Sequence, residues 1–129
     1  MSKYDLIVDG KTLPRLTKRG LMFEVVKAAI AKGFSPEQLI PPNKWISVDG
    51  ELSAEEFRAK ASNLQAKLGR TYDPSRYFCA DTEVFHTGGR TYALIKKSEW
   101  GLNTIPVVDE VIAQLPPGTV SYVKTTEAD

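Results

Sequence analysis

The clearest pattern of apolar and polar residues lies between Val84 and Gly101, in the stretch VFHTGGRTYALIKKSEWG. Apolar residues there lie on both sides of the pair Gly88-Gly89. Glycine readily adopts the positive φ angles that a type I′ hairpin turn requires at both central positions, so Gly88-Gly89 predicts a two-residue turn in which Phe85 faces Tyr92. Apolar side chains then fall on both faces of the hairpin: Phe85, Tyr92 and Leu94 on one, and Val84, Ala93 and Ile95 on the other. A hairpin with two apolar faces is predicted to be central to a sheet.

Apolar residues at helical spacing predict three main helices, and a short helix is predicted between the first two. The predicted main helices are Leu21–Lys32, closed by Gly33, Ser53–Leu68, and a last helix that begins at Asn103 or Thr104 and includes Leu115. Ser35 and Pro36 start the short helix, and Pro41-Pro42 stops it.

The helix behind Ser53 has the strongest local signals. Ser53 and Glu56 have the spacing of a capping box, and Glu56 and Lys60 form a favourable i,i+4 pair. A narrow apolar stripe is predicted to be its buried side: Phe57, Ala61, Leu64 and Leu68.

Short apolar runs predict the remaining strands, at Tyr4–Val8, Trp45–Val48 and Val120–Val123. Asp-Gly turn pairs close the first two, and Lys11–Arg19, which contains Pro14, is predicted to be a polar connector. The pattern therefore predicts an α+β protein. It would be a single domain over 1–129, with the hairpin in a small, mainly antiparallel sheet packed by the helices; a lobe boundary would fall near 69–74.

Composition narrows the function classes without selecting one. The 129 residues are 42% hydrophobic and 26% charged, with a net charge of +1, which is ordinary for a globular protein. Positive charge is concentrated in residues 1–70, which hold 12 Lys or Arg and 8 Asp or Glu, against 5 and 8 in the rest. One cysteine, no secretory signal and no membrane-length apolar run lead us to expect a cytoplasmic protein without disulfides.

Candidate catalytic residues are few. His86 and Cys79 could form a thiolate–imidazole pair only if the chain bends between them. We therefore favour a structural interpretation, in which His86 lies on a strand and Cys79 is buried. Asp81 and Glu83 offer two carboxylates without a third metal ligand. We therefore expect them to be solvated charges at the edge of a strand rather than a metal site. Nucleotide-binding and hydrolase motifs are missing from the sequence, and we therefore expect no enzyme activity, metal or cofactor.

A basic cluster is the best candidate for binding. It consists of Lys11, Arg15, Lys18 and Arg19, continued by Lys27 on the following helix and by Arg90 at the hairpin tip. These side chains could contact the phosphates of nucleic acid, although a solvated connector would have the same composition. Lys96-Lys97 on the second hairpin strand would suit a winged-helix wing, or any solvent-facing strand end.

The last third of the chain resembles small α+β modules that occur beside restriction-type and other nuclease proteins of bacteria. The resemblance rests on Phe85-x-x-Gly-Gly-Arg-Thr-Tyr-Ala-Leu94, on Trp100-Gly101 and on a helix that ends in Leu115-Pro116. It implies an accessory, DNA-associated domain and supplies no catalytic residue. Winged helices are the nearest familiar architecture, but a strand before the third helix and a helix and strand after the hairpin depart from that order.

Two functions are therefore expected from different classes. The first is a non-enzymatic binding domain whose partner is nucleic acid or a nuclease-type protein. The second is a protein–protein adaptor that docks through its acidic C-terminal half and does not bind nucleic acid.

Overall fold

A computed structural model of the protein describes residues 2–40, 44–71, 73–95 and 104–125. This part of the chain contains four α-helices and two antiparallel sheets, which confirms the α+β class. The helices are α1 (Lys18–Ala31), α2 (Pro36–Leu39), α3 (Ala54–Lys67) and α4 (Thr104–Ala113). The strands are β1 (Lys3–Val8), β2 (Lys11–Leu16), β3 (Trp45–Asp49), β4 (Tyr77–Phe78), β5 (Phe85–Thr87), β6 (Arg90–Ile95) and β7 (Val120–Thr125).

Two sheets form where the sequence predicted one, and they belong to two compact units. The first unit comprises Met1–Leu39 and Trp100–Asp129, and the second comprises Ile40–Glu99. Residues 69–74, where the sequence suggested a lobe boundary, fall inside the second unit. No helix among the described residues is long and apolar enough to cross a membrane.

The first unit contains a three-stranded sheet in the order β2-β1-β7. The predicted connector over Lys11–Arg19 is wrong, because its first six residues form β2, which pairs antiparallel to β1. Asp9 and Gly10 make the turn with φ angles of 49° and 84°, the two positive values of a type I′ hairpin. The sequence of β2 does not alternate between apolar and polar residues as a half-buried strand would, because β2 is an edge strand with Lys11–Arg15 exposed.

A bulge interrupts the pairing of β2 with β1. Tyr4 pairs with Leu16 and Leu6 with Leu13, so β2 holds one residue more than β1 between these positions. The edge accommodates Pro14, which cannot donate to the ladder. Arg15 adopts a φ of 59°, and its backbone N–H donates to Oδ1 of Asp5 at 3.0 Å.

α1 begins three residues before the predicted start at Leu21. Thr17 is its N-cap, and the Thr17 hydroxyl accepts a hydrogen bond from the backbone N–H of Gly20 at 3.0 Å. Gly33, with a φ of 101°, closes the helix as predicted. Within its unit α1 packs on α4 and β1, and buried side chains from these three elements include Leu6, Val25, Val26, Val108 and Val111.

The hairpin of the second unit confirms the central structural prediction. Gly88 and Gly89 have φ angles of 59° and 74°, and Phe85 pairs with Tyr92 in the predicted register. Phe85, Tyr92 and Leu94 are 8%, 7% and 0% exposed. β3 pairs with the other edge of β6, so the hairpin is part of a sheet rather than a projecting wing.

One face of this second sheet carries α3. Phe57 and Ala61 of the helix form a core cluster with Val48, Cys79 and Ala93. Of the three helices predicted to pack on the hairpin, α3 does so within this unit, whereas α1 and α4 belong to the first unit, where they pack on each other.

α3 confirms its predicted N-terminus and corrects its predicted buried stripe. The Ser53 hydroxyl and the Glu56 carboxylate make both bonds of the capping box. The far end of the stripe is exposed, with Leu64 at 37% and Leu68 at 64%. Lys60 does not pair with Glu56 as predicted but donates to the backbone oxygen of Asp49 at 3.0 Å.

Other predictions concern residues that the structure does not describe. The end of the hairpin's second strand with Lys96-Lys97, Trp100-Gly101 and Asn103, and the stop at Pro41-Pro42, lie outside the described residues.

Candidate functional site

Four of the predicted basic residues belong to β2 and to the first turn of α1, and we call them the β2–α1 basic face: Lys11, Arg15, Lys18 and Arg19. Lys11, Arg15 and Arg19 are exposed, and Lys18 is half-buried. Lys27 is exposed two turns further along α1, roughly 12 Å from Arg19 at 1.5 Å per residue. The fold thus places five of the six predicted residues on adjoining elements of one unit.

The basic face keeps its charge unneutralised. Among the described residues, no carboxylate lies within ion-pair distance of these five side chains. Asp5 accepts only the backbone N–H of Arg15, and Asp9 pairs with Lys32, whose Nζ lies 3.0 Å from its carboxylate. The nearby acidic residues therefore hold the turn and the bulge in place.

Arg90, the sixth predicted residue, lies in the second unit and has its own partners. Its guanidinium forms an ion pair with Asp49, and Nη2 donates to the Ser47 hydroxyl at 3.0 Å. These contacts join neighbouring strands on one face of the sheet. The charge of Arg90 is therefore already compensated, unlike that of the basic face.

His86 and Cys79 take structural positions in the second unit. Nε2 of His86 lies 2.6 Å from the backbone oxygen of Leu52, so this nitrogen carries the proton and donates. Cys79 is buried in the core cluster, and its backbone oxygen accepts a hydrogen bond from Arg58 at 2.6 Å.

Thr91 completes the attachment of the segment between β3 and α3. This side chain is fully buried, donates to the backbone oxygen of Gly50 at 2.6 Å and accepts the N–H of Leu52 at 2.9 Å. Together with His86 it holds both polar backbone groups of Leu52. The polar residues of the hairpin are thus used to fix the start of α3.

Asp81 and Glu83 lie in the turn between β4 and β5 rather than on a strand. The Glu83 carboxylate accepts the N–H of Ala80 at 3.1 Å, and the N–H of Glu83 donates back to the oxygen of Ala80 at 2.9 Å. Glu83 therefore closes the turn. In the described ranges no group of three or more His, Cys, Asp or Glu side chains could hold a metal ion.

We compared the chain with known proteins to find relatives. Scans against models of protein families, curated proteins and solved structures find no match to this chain. The resemblance of the last third to nuclease-associated modules consequently stays a prediction.

Sequence reasoning assigned Leu64 and Leu68 to the core, whereas the fold leaves both on the surface. Their spacing continues that of the buried Phe57 and Ala61, so periodicity alone could not separate the two pairs. The basic residues on either side of Leu68, Lys67 and Arg70, were the signal that the end of the stripe faces water.

Proposed function

We propose that the protein is a non-enzymatic domain that binds the phosphate backbone of nucleic acid through the β2–α1 basic face, working alone or beside a nuclease-type partner. The proposal depends on one observation, which is that exposed or half-buried Lys and Arg side chains collect on an edge strand and the helix that follows it, and that they form no ion pair with the other described residues. A cytoplasmic location, which a sequence with a single cysteine favours, belongs to the same proposal.

The start of α1 supports a functional reason for these charges. Backbone N–H groups make a helix N-terminus positive, so acidic residues stabilise it and basic residues do not. α3 follows this rule with Glu55 and Glu56 in its first turn, whereas the first turn of α1 has no acidic residue and begins with Lys18-Arg19. Basic residues in the first turn of a helix, such as Lys18 and Arg19, are expected where they serve to bind an anion.

The dimensions of the basic face suit a few consecutive phosphates. From Lys11 to Arg15 an extended strand covers roughly 13 Å at 3.3 Å per residue. One DNA strand carries a phosphate about every 3.4 Å of helix axis, so about four phosphates lie along this length. Contacts to three or four phosphates would give a slope of log K against log salt of roughly −3 for a duplex.

The test is a fluorescence-anisotropy titration of labelled duplex and single-stranded DNA at about 50 and 200 mM salt, the range over which phosphate contacts weaken. Removing two of the roughly four contacts by Arg15→Glu with Lys18→Glu is expected to halve the salt slope at least and to weaken binding more than tenfold at the lower salt. Lys124→Glu, a charge reversal on the exposed part of β7, is the matched control and should change little. Equal affinity of the double variant and the unaltered protein, or no binding by either, would refute the proposal.

An adaptor function is the second candidate because apolar surface is exposed at the end of α3, where Leu64 and Leu68 reach solvent. This surface differs from the acidic C-terminal half through which the sequence predicted an adaptor to dock. An adaptor would leave nucleic acid unbound and would tolerate charge reversal on the basic face. The same titration therefore separates the two functions.

A further inference from the structure

α3 extends past the part of the core that it covers. Its first two turns place Phe57 and Ala61, both 0% exposed, in the core cluster. Leu64 and Leu68 continue the same stripe at i+3 and i+4 spacing but are 37% and 64% exposed. The second half of the helix thus presents an apolar ridge on which Leu64 is partly and Leu68 mostly exposed to solvent.

The end of this ridge is held in a defined conformation. Gly69 has a φ of 72°, and its N–H donates to the oxygen of Ala66 at 3.0 Å. The N–H of Arg70 donates to the oxygen of Gln65 at 2.8 Å, which completes the two bonds of a Schellman motif. The C-terminal end of α3, including Leu68 and the backbone of Arg70, is therefore held in one conformation. A ligand that binds there would not lose free energy by ordering a frayed helix end.

The charged residues that α3 and its end carry beyond Phe57 are all positive. From Phe57 to Arg70 the chain has four basic residues and no acidic one. Lys60 and Lys67 lie seven residues apart on one flank of the stripe. Lys67 and Arg70 are exposed, and neither forms an ion pair with another residue that the structure describes. This combination of apolar and basic groups complements a ligand that carries apolar side chains and carboxylates.

We propose that Leu64, Lys67, Leu68 and Arg70, which we call the α3 docking end, bind an acidic amphipathic helix of a partner protein. Leucine-type side chains of that helix pack on Leu64 and Leu68, and its Glu or Asp residues face Lys67 and Arg70. A second copy of this chain fits less well, because a two-fold antiparallel pair of α3 helices would place the lysine flanks beside each other. This surface lies in the second unit and is separate from the basic face.

The experiment measures binding of a labelled synthetic peptide to the full chain by fluorescence anisotropy. The peptide carries Leu at helical i, i+3 and i+7 positions with Glu on both flanks, and a matched peptide carries Lys in place of each Glu. Leu68→Gln and the pair Lys67→Glu with Arg70→Glu alter the docking end. Val123→Gln and Lys124→Glu are the controls, since Val123 is 57% exposed on a strand of the first unit.

The acidic peptide is expected to bind saturably, and the lysine peptide at least about tenfold more weakly. Either alteration of the docking end should weaken the acidic peptide by a similar factor, while both controls and the circular dichroism spectrum stay unchanged. Equal binding of the two peptides, or no saturation, would overturn the proposal. So would equal weakening by Arg15→Glu with Lys18→Glu, or a dimer of the chain that Leu68→Gln dissociates.

Discussion

Replacement of Phe57 by alanine tests the packing of α3 on the hairpin sheet. Phe57 is fully buried in the core cluster with Ala61 and Ala93. A buried phenylalanine removes about 150–250 Å² from water, which at about 25 cal/mol per Å² corresponds to roughly 4–6 kcal/mol. The alanine side chain keeps part of the buried contact, and the unfolded chain already buries some apolar surface. We therefore expect Phe57→Ala to lower the free energy of unfolding by about 3–5 kcal/mol.

The assay is urea unfolding followed by circular dichroism and tryptophan fluorescence. Total stabilities of domains are about 5–15 kcal/mol, so Phe57→Leu, with an expected loss of about 1–2 kcal/mol, keeps the comparison measurable if the alanine variant does not fold. Leu68→Ala on the exposed end of the same stripe should change stability by less than about 0.5 kcal/mol. A loss below about 1 kcal/mol for Phe57→Ala, or equal losses at Phe57 and Leu68, would refute this account of the core.

Three further predictions concern local hydrogen bonds. Ser53→Ala removes the N-cap of α3 and should lower the free energy of unfolding by about 1 kcal/mol, with Ser53→Asp as the control that retains the cap. Thr91→Val leaves two half-buried backbone groups, the oxygen of Gly50 and the N–H of Leu52, without their partner and should cost about 1–2 kcal/mol. Thr91→Ser should recover most of this loss, and a neutral valine variant would contradict the assignment. Burial and the hydrogen bond to Asp109, 2.7 Å from the Tyr122 hydroxyl, raise the pKa of Tyr122 from 10.0 to about 12. This group therefore stabilises the fold fully below pH 10 and loses that contribution as the pH rises through about 12. Asp109→Asn should lower the pKa in an absorbance titration of the phenolate, and an unchanged titration would show that the bond does not form.

Local turn and cap chemistry is the part of the fold that the sequence predicted well. Positive φ at Gly88-Gly89 and Gly33, and the pairing of Ser53 with Glu56, are set by residues that adjoin in the chain. These features need no knowledge of distant partners.

Strand pairing and burial depend on distant contacts, and there the sequence was insufficient. β2 has no alternating pattern because it is exposed along an edge, so only its pairing with β1 reveals it as a strand. Val120–Thr125 joins β1 rather than the hairpin sheet, and this choice involves residues more than 100 positions apart. Leu64 and Leu68 are exposed because α3 extends past the core, which periodicity does not record.

The candidate site was likewise predicted only in part. Residue type and clustering identified Lys11, Arg15, Lys18 and Arg19, because charge is visible in the sequence. That Arg90 is neutralised by Asp49, 41 positions away, could be learned only from the fold. Charge alone therefore could not separate Arg90, which has an ion-pair partner, from the other five residues, which form no ion pair with the residues that the structure describes.

Backbone amide NMR spectra recorded during titration with a short DNA duplex would show which residues contact the phosphates. We expect chemical-shift changes to concentrate at Lys11–Arg19, to extend along α1 to Lys27, and to decrease as salt is added. Amides of the second unit, including Arg90, should remain unchanged. Shifts concentrated between residues 40 and 99, or none at saturating DNA, would contradict the assignment of the β2–α1 basic face as the phosphate-binding surface.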